Sequence, residues 1–166
     1  GGTAGVGQVT RTWRTDTTPP TFVSIQQIAT NPRNIVVQSL DVDFSEAIDP
    51  ASFDFNDITL TRDGGENLIT ADVTVERVDA DTFRIRGFNW KVGLDGDYTL
   101  TVNGTGITDL AGNAVGGSIT RSWTMDVVAP AVASDLVIGP DRGVSSSDRI
   151  TNSLDLSLAG ALAETG

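Results

Sequence analysis

The stretch GTAGVGQVTRTWRTDTTPP, residues 2–20, recurs without a gap as GNAVGGSITRSWTMDVVAP at residues 112–130. The recurrence aligns Trp13 with Trp123 and Asp16 with Asp126, which gives a period of about 110 residues. This period is the size of one β-sandwich domain and is too long for a solenoid unit. The sequence therefore indicates a tandem array in which each repeat is a domain of its own.

The array predicts three parts in this chain. Residues 1–16 are expected to be the last strand of a preceding repeat, and residues 17–128 a complete repeat. Residues 129–166 are expected to be the first two strands of a following repeat, since SLDLSL at 153–158 echoes SLDVDF at 39–44. Only the middle part carries enough strands to bury a full core, so we expect it to be the folded unit.

Apolar residues that alternate with polar ones, bounded by turn residues, predict an all-β chain. We expect strands near 22–28, 35–45, 58–60, 71–78, 82–88, 98–102 and 119–125. The fourth and fifth are expected to form a hairpin around Asp79-Ala80-Asp81. About seven short strands without a sustained helical period are typical of an immunoglobulin-like Greek-key β-sandwich.

Aromatic residues sharpen this prediction. Tyr98 in Leu94-Asp95-Gly96-Asp97-Tyr98 is similar to a tyrosine corner, in which the hydroxyl bonds to backbone just upstream. Leu100 stands where such domains carry a disulfide cysteine, so no disulfide is expected. We expect Trp13 and Trp123 to be core residues and Arg11 and Arg121 to lie at the rim of the sandwich. Trp90 is expected to cover its open end, or to stack on a sugar.

Composition excludes several classes of function. The net charge of −11 comes from 22 acidic and 11 basic residues, so nucleic acid is not an expected partner. No apolar run approaches the roughly 20 residues of a membrane-spanning helix. The chain has no histidine and no cysteine, which removes the usual bases, thiol nucleophiles and zinc sites. Paired carboxylates could still support glycoside hydrolysis, but a single sandwich seldom carries a deep cleft, so we expect no enzyme.

Three segments resemble the bacterial Ig-like repeats of very large surface proteins, including adhesins, biofilm proteins and S-layer proteins. They are TDTTPPTFVSI at 15–25, VDFSEAIDPASFDFNDITLT at 42–61 and GDYTLTVNGTGITDLAGNAVGGS at 96–118. The resemblance implies a non-catalytic, extracellular rod module at the cell surface, commonly stiffened by calcium. Its expected partners are neighbouring repeats and, by strand complementation, other copies that could form fibres. The alternative is a carbohydrate-binding or accessory module of a secreted polysaccharide-active enzyme.

The same topology predicts a calcium site. In an Ig-like sandwich the approach to the first strand, the loop after the second and the loop after the sixth lie at one pole. The acidic and amide residues at these places are Asp16, Glu46, Asp49, Asp109 and Asn113. Calcium takes six to eight oxygen ligands, and these side chains would supply much of that shell. The alternative is that these residues only form turns, a role that suits aspartate and asparagine equally well.

Overall fold

Seven strands of the first unit form two antiparallel sheets in this computed structural model. The structure describes residue 7, residues 9–130 and the backbone of two strands at 134–139 and 157–161. The chain divides into two units, Gly1–Val127 and Val128–Gly166, and each is described by itself. The strands of the first unit are β1 (Phe22–Ile25), β2 (Ser39–Phe44), β3 (Ile58–Arg62), β4 (Thr74–Arg77), β5 (Thr82–Arg86), β6 (Gly96–Asn103) and β7 (Ser118–Met125). Short 3-10 helices lie at Phe55–Asp57 and Asn89–Lys91.

The strand order is that of an immunoglobulin constant-type domain. One sheet has the order β1-β2-β5-β4 and the other β3-β6-β7, which correspond to strands ABED and CFG. The predicted hairpin is β4 with β5, and Val75 lies opposite Ile85 in it. The expected seven-stranded Ig-like sandwich is therefore confirmed.

The first two strands are shorter than predicted because the chain changes sheets between them. After Ile25 it leaves β1 and runs beside β7, where Arg33 forms a parallel bridge with Met125. The Arg33 N–H donates to the Thr124 carbonyl at 3.1 Å, and the Asp126 N–H donates to the Arg33 carbonyl at 2.9 Å. The local alternation of apolar residues does not indicate this long-range pairing. The predicted strands therefore extended into the segment that crosses from one sheet to the other.

Large aromatic side chains fill the space between the sheets. Phe44, Phe53 and Phe83 pack with their ring centroids 5.6 to 6.0 Å apart, in edge-to-face arrangements. Tyr98 and Trp123 stack at 5.6 Å, and both are fully buried. The Tyr98 hydroxyl donates to the Leu94 carbonyl at 3.0 Å, which confirms the tyrosine corner.

The open edge of β3 is covered by a segment of its own loop. The Asn67 side-chain oxygen accepts the N–H groups of Leu60 and Ile69, both at 3.0 Å. The Leu68 N–H donates to the Leu60 carbonyl at 2.8 Å. These bonds occupy polar groups that would otherwise offer an edge for pairing with another chain.

The structure overturns one prediction about tryptophan and leaves another untested. Trp13 is 85% exposed, and residues 9–21 contain no strand in the described part of the chain. No described strand lies beside this segment as β6 lies beside Trp123, so the burial of Trp13 in a preceding repeat stays a prediction. Trp90 does not cover the end of the sandwich, since it is 63% exposed and has the Lys91 ammonium 3.7 Å from its ring centroid.

Arg121 is half-buried and donates to the Ile25 carbonyl at 2.5 Å, while Arg11 is exposed.

The second unit contains a pair of antiparallel strands, β8 (Ser134–Gly139) and β9 (Ser157–Ala161). Most of the predicted strand at 153–158 lies outside the described residues. The assignment of 129–166 to a following repeat therefore stays a prediction. Among the described residues, no helix has the length and apolar character needed to cross a membrane.

Candidate metal centre

Three of the five predicted ligands meet at one end of the sandwich. One carboxylate oxygen from each of Asp16, Glu46 and Asp109 lies within 4.8 Å of the other two. Asp16 precedes β1, Glu46 follows β2, and Asp109 belongs to the loop between β6 and β7. We call the end of the sandwich that carries these three carboxylates the acidic pole.

Backbone pairing between two loops holds the acidic pole together. Ile48 forms an antiparallel bridge with Asp109, and the Asp49 N–H donates to the Thr108 carbonyl at 2.9 Å. Ile48 is itself buried in the core. The loop that bears Glu46 is therefore fixed to the loop that bears Asp109.

Asp109 is the anchor of the pole because its own loop folds around its carboxylate. Its Oδ1 accepts the N–H groups of Ala111 and Asn113, both at 2.8 Å, and its Oδ2 accepts the Asn113 side-chain amide at 2.8 Å. Gly112 has a φ of +91°, a conformation in which a Cβ would be strained, so glycine suits this tight turn. Only 4% of Asp109 is exposed.

These donors keep Asp109 ionised. Donation from the Asn113 side chain lowers the pKa of Asp109 below its usual range. Burial opposes the shift, and the backbone N–H groups of the turn add to it. Since hydrogen bonds to a carboxylate favour its charged form, Asp109 keeps its negative charge in mildly acidic solution.

Asn113 acts as a donor between two parts of the pole. Besides its bond to Asp109, its side-chain amide donates to the Asp16 backbone carbonyl at 3.3 Å. Asp16 is exposed, and its Oδ1 accepts the Thr18 N–H at 3.1 Å, which bends the chain toward β1. The segment before β1 is therefore connected to the loop between β6 and β7.

The structure does not bring Asp49 to the other carboxylates. Its Oδ1 accepts the Ala51 N–H at 3.0 Å, so the side chain closes a local turn before Ser52. Sequence position placed it in the correct loop, but the direction of the side chain is set by the turn. The prediction also missed Arg14, which lines the same open cleft of about 350 Å³. Arg14 lies two residues before Asp16, and this proximity in sequence could have indicated that it lines the same cleft.

The donor set is chemically suited to a hard cation. Carboxylate oxygens are the ligands that Ca²⁺ prefers, and three carboxylates leave positions for water or backbone carbonyls. A site without histidine or cysteine offers nothing to a soft metal. Three negative charges this close repel one another, and a divalent cation would offset that cost.

Comparison with known proteins identifies the family. A model of the bacterial Ig-like domain matches residues 16–125. The chain belongs to the bacterial Ig-like domain family. The match begins at Asp16 and ends at Met125, so the three carboxylates of the acidic pole all lie within this bacterial Ig-like domain.

Solved structures of a bacterial S-layer protein are similar to part of this bacterial Ig-like chain. The crystal structure of the S-layer protein rSbsC(31-844) shares 21% identity at a TM-score of 0.45, covering 69% of this chain and 14% of that one. The N-terminal part of SbsC gives 21% and 0.45, covering 69% and 25%. SbsC domains 1-6 give 20% and 0.46, covering 70% and 15%. The chain thus spans a quarter or less of these structures, and no curated protein matches it.

Proposed function

We propose that this bacterial Ig-like domain is a non-catalytic spacer repeat of an extracellular bacterial surface or fibrous protein, with calcium at the junction between repeats. One observation carries the proposal, namely that Asp16 has two roles. By the recurrence it aligns with Asp126, the residue that follows the closing strand of a repeat. By its contacts it belongs to the acidic pole of the next repeat.

If Asp16 belongs to both repeats, no residues remain between them to form a flexible linker. In the complete repeat, the Asp126 N–H donates to the Arg33 carbonyl at 2.9 Å, and the Val127 N–H donates to Asp95 Oδ1 at 2.6 Å. The residues just after the closing strand are thus fixed to their own repeat. If Asp16 is fixed in the same way to a preceding repeat, it joins that repeat directly to the acidic pole. Two domains joined without slack transmit length and direction, which is what a spacer does.

Calcium would stiffen this junction more than it stabilises the core. Asp16 contributes its carboxylate only when the segment before β1 is docked, so docking brings a third negative charge beside Glu46 and Asp109. The cost of that approach falls when a divalent cation is bound. Arg14 lines the cleft as well and offers a positive charge, but a guanidinium cannot bind three carboxylates as a metal ion does.

The proposal of a non-catalytic role rests on which side chains the chain contains and on the contacts they make. The chain has no histidine or cysteine, and the side chain of its single lysine, Lys91, is 6% exposed and donates to Thr70 at 2.8 Å. On the outer face of the first sheet, Arg84 donates two bonds to Asp41 at 2.6 and 2.7 Å. These groups are engaged in structural contacts, which favours a structural role.

Trp90 is the observation that favours the carbohydrate-binding alternative. Its exposed indole could stack on a sugar, but the Lys91 ammonium already lies over its ring. Titration of the chain with bacterial and plant polysaccharides decides between the two functions. Saturable binding that is lost in Trp90→Ala would favour the alternative, and no binding is expected for a spacer.

Thermal unfolding in calcium and in chelator tests the metal. We expect calcium to raise the melting temperature of the wild-type chain, by an amount equivalent to about 2.7 kcal/mol at a hundredfold excess over Kd. Glu46→Gln should remove most of this rise, because it removes one charge from the pole. Asp49→Asn is the matched control and should keep the rise, since Asp49 lies in the same loop but outside the group. Equal melting temperatures in calcium and chelator would contradict the calcium proposal.

A further inference from the structure

Asn103, the last residue of β6, begins a three-residue pattern that glycosylating enzymes recognise. Residues 103–105 read Asn-Gly-Thr. Asn103 is the one asparagine of the chain that has serine or threonine two residues later without an intervening proline. Asparagine in this pattern is the acceptor for N-linked sugar at protein surfaces. Because short patterns also arise by chance, the place of this one in the structure decides whether it can react.

The structure places both ends of the pattern at the surface. Asn103 and Thr105 are exposed, whereas Gly104 between them is buried. A Cβ at position 104 would lie 2.6 Å from the Val115 carbonyl oxygen, and the Gly104 N–H donates to the Gly117 carbonyl at 2.9 Å. Packing therefore fixes glycine at the middle position and leaves the two outer side chains accessible.

Thr105 holds the side-chain amide of Asn103 by its oxygen. Asn103 Oδ1 accepts the Thr105 N–H at 3.0 Å and the Thr105 hydroxyl at 2.7 Å. The Asn103 Nδ2 donates to no residue in the described part of the chain. A hydrogen bond to an amide oxygen polarises the amide and makes its N–H more acidic. The nitrogen that would accept a sugar is thus accessible and activated by the neighbouring hydroxyl.

A turn alone does not require these two side chains. The chain closes four other turns on an aspartate whose carboxylate accepts the N–H two residues ahead, at Asp16, Asp49, Asp54 and Asp109. Aspartate at position 103 would accept the Thr105 N–H equally well. The amide nitrogen and the threonine hydroxyl are the two groups that the turn does not need and that glycosylation does.

We propose that Asn103 is an N-glycosylation site of this chain. Nδ2 attacks the anomeric carbon of a sugar that is activated as a diphosphate ester, and the carbon–nitrogen bond forms as the carbon–oxygen bond to diphosphate breaks. The diphosphate leaves with the electron pair of that bond, and a base of the transferase takes the amide proton. The modification goes beyond the spacer function and does not depend on calcium at the acidic pole.

The surface beside Asn103 is suited to a sugar. On the outer face of the second sheet, Thr101 lies two residues before Asn103 and stands between Thr59 and Thr120. The next row of this face has the same character and consists of Thr61, Thr99 and Ser122. All six side chains carry a hydroxyl and none carries a charge. A sugar on Asn103 can therefore form hydrogen bonds with this face without displacing an ion pair.

Mass spectrometry of the protein purified from the bacterium that produces it tests the site. Trypsin releases residues 92–121 as one peptide, because Lys91 and Arg121 are the flanking basic residues. We expect this peptide to carry the mass of one or more sugar residues, and fragmentation that retains the glycan to place it on Asn103. Asn113 in the same peptide is the internal control, since Val115 stands where the hydroxyl would have to be.

Two results of this mapping would overturn the proposal. One is an unmodified Asn103 in the protein from its own bacterium. The other is sugar carried only by threonine or serine residues of the peptide, with Asn103 bare.

Three variants produced in the same bacterium separate glycosylation from the turn. Thr105→Val keeps the N–H that closes the turn but has no hydroxyl, so glycan occupancy should fall at least tenfold. Thr105→Ser keeps the hydroxyl and should keep most of the glycan. Asn103→Asp keeps the acceptor oxygen of the turn and should carry none. Wild-type occupancy at Asn103 in the Thr105→Val protein would overturn the proposal.

Unglycosylated protein from a host without such enzymes controls for folding. Thr105→Val and Asn103→Asp should melt within about 4 °C of the wild type there, as expected of surface substitutions. If either melts lower, the comparison of Thr105→Ser with the wild type and of Asn103 with Asn113 still decides. The effect of calcium on melting is measured on this same unglycosylated protein, so failure of the glycosylation proposal is distinguishable from failure of the calcium proposal.

Discussion

At the scale of the residue, Tyr98 combines two separate contributions to stability. Its ring stacks on Trp123 inside the core, while its hydroxyl donates to the Leu94 carbonyl at 3.0 Å. The first depends on burial and the second on a single hydrogen bond. One substitution can therefore remove the second and leave the first.

We expect Tyr98→Phe to lower the free energy of unfolding by about 1 kcal/mol, the usual net value of such a bond. Urea denaturation followed by tryptophan fluorescence measures the change. Ser122→Ala is the control, since it removes a hydroxyl on the exposed face of β7 and should change stability by less than about 0.5 kcal/mol. Equal stability of Tyr98→Phe and the wild type would show that the corner bond contributes nothing.

Asp109 gives stability a definite dependence on pH. Its pKa is lowered in the folded state, mainly by the Asn113 side chain, so folding favours the ionised carboxylate. This contribution is fully present above the unfolded pKa of about 3.9 and is lost as pH falls through the folded pKa.

The variant Asp109→Asn should therefore melt below the wild type near neutral pH, and the difference should shrink as the pH falls below about 4. Asparagine cannot ionise and brings its own amide against that of Asn113. Melting curves of both proteins in chelator, across the acidic range, measure the difference. A difference that stays constant with pH would mean that Asp109 acts only through the shape of its turn.

At the scale of the element, the two tryptophans of the recurring sequence show that the same local sequence can be buried or exposed. Trp123 is 1% exposed because β6 lies beside it, and Trp13 is 85% exposed in the same motif. Burial of this motif is thus decided by the neighbouring strand and not by the motif itself.

Trp123→Ala should lower the free energy of unfolding by about 3 to 5 kcal/mol, as expected when a buried tryptophan is removed. Trp13→Ala should change it by less than about 0.5 kcal/mol, because the residue lies on the surface. Denaturant unfolding followed by far-ultraviolet circular dichroism measures both. Similar losses in the two variants would contradict the finding that Trp123, and not Trp13, anchors the core of this repeat.

The ends of β1 and β2 show why the sequence predicted the strands but not their lengths. Residues 26–28 and 35–38 keep an apolar pattern, yet the chain there crosses to the second sheet to reach Met125. The pattern reports which residues face the core, and Val37 is in fact buried at 5% exposure. It does not report which sheet supplies the hydrogen bonds.

At the scale of the whole molecule, the topology predicted from the sequence was enough to place three residues that are far apart in the chain at one end of the sandwich. Asp16, Glu46 and Asp109 lie in three separate segments and share the acidic pole, because an Ig-like sandwich brings those segments to one end. Asp49 lies in the correct loop but turns its carboxylate to Ala51, and Arg14 was missed. Side-chain direction within a loop depends on hydrogen bonds that sequence spacing does not specify.

The central claim is that adjoining repeats meet without a free linker at the acidic pole. It is tested by a tandem protein in which residues 17–126 are followed directly by residues 17–127, so that Asp126 of the first repeat takes the place of Asp16. Small-angle X-ray scattering of this protein in calcium should fit one rigid, extended arrangement, and chelator or Glu46→Gln in both repeats should broaden the distribution of end-to-end distances. An equally broad distribution in calcium and in chelator would contradict the claim.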